Sequence, residues 1–164
     1  MPQLTDPMTA LESLEPAIRR GAVTMQPCDV HEDLQVLLDR PDGVNVRITY
    51  AKINQDGAVE GIAILTPVEP IEGVATFGLG YAVAERFRGR GVASDIVTKA
   101  IDEFRIGMAR NGLTEFYVEA IVGVNNAPSN AVARKLLSDN PKEGTDSISG
   151  EPILAYVKLI KSED

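Results

Sequence analysis

Val83-Ala84-Glu85-Arg86-Phe87-Arg88-Gly89-Arg90-Gly91-Val92-Ala93-Ser94 joins two patterns of different period. Before it, Val74–Val83 reads as a strand. After it, Val92, Ile96, Val97, Ala100, Ile101, Phe104 and Met108 mark one side of a helix, and Asp95, Lys99, Asp102, Glu103 and Arg105 fill the other. The turn between them holds Gly89 and Gly91 at the helix start, and the residue type lets backbone approach a ligand closely. The first N–H groups of a helix have no internal partners, and the helix dipole adds partial positive charge there. Arg86, Arg88 and Arg90 add formal positive charge within five positions. Such a spot suits a phosphate or pyrophosphate.

Three phosphate-binding patterns compete for this turn. A P-loop requires GxxxxGK[ST], and the chain contains no Gly-Lys pair. A dinucleotide-binding turn requires GxGxxG/A, whereas Gly89-Arg90-Gly91-Val92-Ala93-Ser94 ends in serine. Glu119 does follow at the distance of a ribose-binding acid, but only about 45 residues remain behind it, too few to complete a doubly wound domain. The third pattern is Arg-x-x-Gly-x-Gly at residues 86–91, set between a central strand and a central helix.

Outward from the turn, the chain reads as a mixed α/β domain. Thr9–Arg20 has Leu11, Leu14 and Ile18 at helical spacing, limited by Pro16, and Val23–Met25 is a short strand. Asp29–Asp39 carries Val30, Leu34, Leu37 and Leu38 at the spacing of an amphipathic helix, stopped by Arg40-Pro41-Asp42-Gly43. Val46–Ile53 alternates as a strand, Asn54–Gly57 is a hairpin-type turn, and Val59–Thr66 is apolar enough for burial on both faces. Pro67–Gly73, with two prolines and two glutamates, reads as a loop. Beyond the long helix, Asn111-Gly112 is a stop. Thr114–Val122 is a strand with Phe116, Val118, Ala120 and Val122 on one face and Tyr117, Glu119 and Ile121 on the other. A helix over about 128–137 and a strand over 152–160 complete the chain. Short-range antiparallel strands followed by a strand–helix–strand crossover make an α/β layer architecture. No linker or repeat separates domains, so residues 1–164 are expected to form one.

Composition narrows the function. The 164 residues carry 16 Lys and Arg against 24 Asp and Glu, a net charge of −8. This disfavours a non-specific nucleic-acid coat and mildly favours amine partners. A single cysteine, Cys28, and a single histidine, His31, exclude a disulfide scaffold, a zinc finger and an HExxH peptidase; no metal site is expected. Both are read as incidental residues ahead of a helix. Met1–Leu14 lacks the basic and apolar regions of a signal peptide, and no apolar run is long enough for a membrane span, so a reduced, cytoplasmic protein is expected.

The intact Arg86-Phe87-Arg88-Gly89-Arg90-Gly91, preceded by Gly80-Tyr81-Ala82-Val83 and followed by the Val92–Met108 helix, resembles the signature of the GNAT superfamily of acyl-CoA-dependent N-acetyltransferases. Asn126-Ala127-Pro128-Ser129, then Val132-Ala133-Arg134-Lys135-Leu136, is similar to that family's Asn-x-x-Ser…Leu-Tyr-x-Lys segment. The specific likeness covers about residues 76–138. It implies a mixed, mostly antiparallel sheet flanked by helices, acetyl-CoA as cofactor, and direct attack by a primary amine on the acetyl group.

Position by position, the resemblance implies that backbone groups of Val83 and Glu85 pair with the pantetheine arm. Main-chain amides from Arg88 through Gly89, Arg90, Gly91, Val92, Ala93 and Ser94 hold the pyrophosphate, assisted by the side chains of Arg86, Arg88 and Arg90. Asn125 or Asn126, and Ser129, lie beside the lower cofactor and the departing thiol, and the acyl carbonyl sits where the strands Val74–Val83 and Thr114–Val122 splay, polarised by a strand amide. A homodimer is compatible with the family. Two positions depart from the pattern: the usual tyrosine acid is Ala133, and the usual strand glutamate is Gly78. Glu119 is then the best remaining carboxylate to act as base, with Tyr81 as a hydrogen-bonding group and Ser129, Tyr117 or water in place of the acid at the thiolate. An unperturbed thiol has a pKa of ~8.5, so its anion leaves without a strong acid. The alternative is a domain that binds acyl-CoA without turnover, as a sensor or interaction module. Gly78 and Gly80 share a face with Ala82, leaving room either for an acyl chain or for a closely packed helix.

Overall fold

The computed structural model describes residues 6–162; the first five residues of the stretch read against a signal peptide lie outside them. Among the described residues the element order is α1 (Pro7–Arg19), β1 (Gln26–Pro27), β2 (Leu34–Asp39), β3 (Arg47–Ile53), β4 (Val59–Ile71), β5 (Val74–Val83), a single 3₁₀ turn (Glu85–Phe87), α2 (Val92–Arg110), β6 (Glu115–Gly123), α3 (Ala127–Leu136), β7 (Lys142–Thr145) and β8 (Pro152–Lys161). The pairs β1–β2, β2–β3, β3–β4, β6–β8 and β7–β8 are antiparallel, whereas β5 and β6 are parallel. The fold class is therefore the mixed, mostly antiparallel α/β arrangement expected. No helix is long and apolar enough to cross a membrane, and no group of potential metal ligands occurs among the described residues.

The chain divides into two compact units, Met1–Thr66 with Gly80–Phe104, and Pro67–Leu79 with Arg105–Asp164. In the first, α1 is capped by Asp6, whose Oδ1 accepts from the Met8 amide at 3.2 Å, with Pro7 just inside the helix start. Pro16 does not end this helix, which runs on to Arg19. Leu11 and Leu14 bury against Ala51, Val59, Ile62 and Ile64. Alternate β4 residues, Gly61, Ala63 and Leu65, point to the opposite face, where α2 buries Val92, Ile96, Val97, Ala100 and Phe104.

Three segments differ from the sequence reading. Asp29–Asp39 is not a helix. Leu34–Asp39 is a strand in register with β3, Leu34 opposite Lys52 and Asp39 opposite Arg47, and Arg47 clamps Asp39 at 3.0 and 2.8 Å. Apolar residues at 34, 37 and 38 satisfy a helical period, but Leu38 ends up 63% exposed because pairing across the Arg40–Gly43 turn fixes the strand. The first short strand is Gln26–Pro27 rather than Val23–Met25.

Pro67–Gly73 is not a loop either, since β4 continues to Ile71 and only Glu72 and Gly73 turn. Their φ values of 51° and 78° are those of a two-residue hairpin turn of the primed type. The prolines fit because pairing with β3 ends at Leu65, so on that edge neither Pro67 nor Pro70 is asked for an N–H.

In the second unit, β8 pairs with β6 along nine residues, Glu115↔Lys161 to Gly123↔Ile153. Phe116, Val118, Ala120 and Val122 are buried on one face, with Tyr156 beside Ala120. The parallel ladder of β5 and β6 joins Thr76–Gly78 to Tyr117–Glu119, and Phe77 meets Phe116 edge-on at 5.6 Å. Strand β7, which has no apolar alternation to betray it, lies on the outer edge of β8.

Candidate active site

The arginine-rich turn lies wholly within the first unit. Gly89 and Gly91 adopt φ values of 78° and 73°, a region that residues with a Cβ enter at a cost. A Cβ built on either would meet no protein atom within 4 Å, so the space beside this backbone is open to a ligand. The first ladder bond into α2 runs from the Asp95 N–H to the Gly91 carbonyl at 3.1 Å. The amides ahead of it are thus the ones a helix start offers to an outside acceptor.

The turn is fixed in place by contacts that no local sequence pattern signals. The Ala84 N–H donates to the Glu60 carbonyl at 2.9 Å, tying the end of β5 to β4. Val83, one residue earlier, turns its own N–H and carbonyl to the other edge, as alternate strand residues do. Gly61 then lets α2 dock. A Cβ there would come within 3.0 Å of the Ala82 carbonyl and 3.1 Å of Val92 Cγ1. The missing Cβ of Gly80 would sit 2.8 Å from Pro7 Cγ, so this glycine admits α1 rather than an acyl chain.

The three arginines take different positions. Arg88 Nε donates to the Val83 carbonyl at 3.2 Å, bridging the turn. Arg86 and Arg90 stand over the Phe87 ring, 4.9 and 5.7 Å from its centroid, so the residue between them is a platform for both guanidinium groups. Arg86 also lies 3.7 Å from Glu15, an exposed and weak pair. Neither Arg88 nor Arg90 has an acidic partner among the described residues. Glu85 belongs to the 3₁₀ turn, not to an extension of β5.

Asp95, an acid in the first turn of α2, would oppose an anion, but it is neutralised. Lys52 and Lys99 reach its carboxylate at 2.9 and 3.1 Å, and Asp33 joins Lys99 at 2.6 Å. Burial alone would raise the Asp95 carboxyl, yet the two ammonium groups hold it below its ordinary value. Lys99 is raised, chiefly by its hydrogen bond to Asp33. The turn therefore keeps its positive character.

The second unit holds Glu119, Asn125, Asn126 and Ser129. Asn126 is the cap of α3, its Oδ1 accepting from the Ser129 amide at 3.2 Å. Asn125 is exposed and Ser129 half-buried. Their connection is stapled by a residue the sequence did not single out. Buried Asn130 donates from Nδ2 to the carbonyls of Gly123 at 2.9 Å and Asn126 at 2.8 Å, and its Oδ1 accepts from the Tyr156 hydroxyl at 2.6 Å. Removing that hydroxyl leaves a buried acceptor short of a partner. Tyr156→Phe should therefore lower the unfolding free energy by about 1–2 kcal/mol in urea titration. Ala133, where the resemblance would place a tyrosine, is 1% exposed and faces the interior.

Glu119 is half-buried on the face of β6 opposite the core, with Gly78 and Val157 as its register partners. Among the described residues it makes no ion pair and no side-chain hydrogen bond. Tyr81 is half-buried in the first unit.

Comparison with known proteins bears on this arrangement. The model of the Acetyltransferase (GNAT) family matches residues 11–137, more than half of the chain. No curated protein sequence matches. Among solved structures, a ribosomal-protein-S5-alanine acetyltransferase from Vibrio fischeri superposes with a TM-score of 0.54 at 16% identity, over 73% of this chain and 63% of its own. A phosphinothricin acetyltransferase from Sinorhizobium meliloti, solved in complex with AcCoA, does so with a TM-score of 0.52 at 14% identity, over 70% of this chain and 62% of its own. The chain thus spans less than two thirds of the length of each, and at these identities the likeness is one of fold.

Proposed function

Because the chain belongs to the acetyltransferase (GNAT) family, we propose that residues 1–164 form one N-acetyltransferase domain acting on a primary amine of a small molecule or peptide. Acetyl-CoA, the acyl donor of this family, supplies an activated carbonyl and a thiolate leaving group. The observation that carries the assignment is the turn: two left-handed glycines with open space beside them, the helix-start amides ahead of the first ladder bond, and Arg88 and Arg90 without an acidic partner among the described residues. Main-chain amides of Gly89–Ser94 hold the pyrophosphate, with Arg86, Arg88 and Arg90 adding charge; the Arg88 amide, expected to join them, instead donates to the Glu85 carbonyl at 3.2 Å and closes the 3₁₀ turn. The outward edge of Val83 receives the pantetheine arm, and Glu85 follows it. Asn125, Asn126 and Ser129 serve the thiol end. Glu119 removes a proton from the incoming ammonium, and Tyr81 orients the amine.

A second reading, acyl-CoA binding without turnover, is favoured by one observation, the buried Ala133 in place of an acid. The two separate on a single assay, thiol release from acetyl-CoA against polyamines, aminoglycosides, amino acids and peptide N-termini. Amine-dependent release is the expected result. Saturable acetyl-CoA binding with no release across the panel would leave the idle module, and absence of binding would dismiss both.

A further inference from the structure

Glu119 sits in surroundings that ordinary strand charges avoid. Four residues earlier on the same strand face, Glu115 stands opposite Lys161, with the two charges 3.9 Å apart. Glu119 stands opposite Val157, and on its other side opposite Gly78, neither of which can pair with a carboxylate. Lys158, the nearest basic residue of β8 in sequence, projects to the other face and reaches the Leu136 carbonyl at 3.4 Å. The flanking residues on the face of Glu119 are Tyr117 and Ile121, with Leu159 opposite Tyr117. Ile121 is 58% exposed, and Tyr117, Val157 and Leu159 are half-buried. Helix α3 lies on the opposite face, with Asn130 against Tyr156.

A half-buried carboxylate set among apolar side chains loses hydration without gaining a partner, which costs free energy in the unliganded chain. The group that offsets this cost is a cation, and the apolar rim favours one whose neighbouring atoms are also apolar. Gly78, opposite Glu119 on the adjacent strand, contributes no side chain to this face.

We propose that this face is the acceptor site, and that the acceptor is a primary ammonium carrying an apolar flank: Glu119 receives the ammonium, and Ile121, Val157 and Leu159 receive the flank. The inference rests on the acetyltransferase reading and narrows its substrate. The Glu119 carboxylate takes one proton from the ammonium, leaving a neutral amine with a free lone pair. Overall, R–NH₃⁺ and the acetyl thioester become the N-acetyl amide, the free thiol and one proton.

The test compares phenylalaninamide with glycinamide on the full chain, by thiol release with acetyl-CoA and by calorimetric amine binding without it. Phenylalaninamide should exceed glycinamide by ~10-fold or more in kcat/KM. Glu119→Gln should lower kcat/KM ~100-fold and weaken amine binding while acetyl-CoA affinity stays within about twofold. Moving the carboxylate to the neighbouring strand, with Gly78→Glu and Glu119→Gly together, should recover part of the lost activity, which a merely structural role would not. Equal use of the two amines overturns the apolar flank. Unchanged amine binding and turnover in Glu119→Gln overturns the site. Loss of amine binding in that variant, in a chain that never releases thiol, sustains the site and overturns the transferase reading instead.

Discussion

Gly91→Val should reduce acetyl-CoA affinity roughly 100-fold, about 2.7 kcal/mol, while the chain stays folded. The cost to folding is bounded, because a Cβ at this position meets no protein atom within 4 Å. What remains is the strain of a β-branched residue at φ 73°, ~1–2 kcal/mol. The chain can relieve that strain only by rotating the peptide groups on either side, and those carry the Gly91 and Val92 amides assigned to the pyrophosphate. The isopropyl group also projects into the open space beside the turn. Both effects fall on the ligand more than on the fold.

Gly112, just beyond the other end of α2, supplies the control. Its φ is 87° and a Cβ there also meets nothing within 4 Å. Gly112→Val should thus lower the melting temperature by a similar amount and leave acetyl-CoA binding unchanged. Calorimetric titration of both variants beside the parent decides the matter. Affinity in Gly91→Val within threefold of the parent would remove the pyrophosphate from this turn.

Both of those glycines were legible in the sequence because local chemistry alone dictated them: a helix start and a helix stop each need a residue that tolerates positive φ. The α2 stripe and the alternation along β6 were legible for the same reason, since each is long enough for its period to be unambiguous. The stretch 29–39 was not. Its apolar residues are few enough to suit either period, and the choice is made by pairing with β3 and by contacts from more than seventy residues away. The site divides in the same manner. The turn could be read from twelve consecutive residues, whereas the support from Gly61 and the staple of Asn130 depend on which strand or helix arrives opposite them. The isolation of Glu119 depends on register, because a shift of β8 by one residue would have set a lysine beside it.

Glu103 is the clearest case of a residue whose sequence context misleads. It lies on the charged side of the α2 pattern, which predicts a solvent-facing residue, yet it is 5% exposed. Its carboxylate accepts from three consecutive amides, Asp29 at 3.0 Å, Val30 at 2.9 Å and His31 at 2.6 Å, while His31 Nε2 meets Asp102 at 2.9 Å. Successive N–H groups converging on one anion form a nest, which fastens the segment before β2 onto the helix that begins at the arginine turn. Glu103→Ala should lower the unfolding free energy by about 2–4 kcal/mol, because three donors lose a charged acceptor and only the outer part of the segment can turn to water. Glu103→Gln keeps the shape but aims an NH₂ group at an amide donor, so it should lose less, about 1–3 kcal/mol.

Cys28 gives a second readout that does not depend on cooperative unfolding. Its thiol is pushed up to about 12 by burial first, and then by the negative charges of Glu103, Asp29 and Asp33. Either substitution removes one of those charges, so the Cys28 pKa should fall and the thiolate fraction at mildly alkaline pH should rise. Alkylation of Cys28 should then run faster in both variants than in the parent. Unfolding free energies within 1 kcal/mol of the parent, with an unchanged alkylation rate, would mean that the nest contributes nothing to holding this segment on α2.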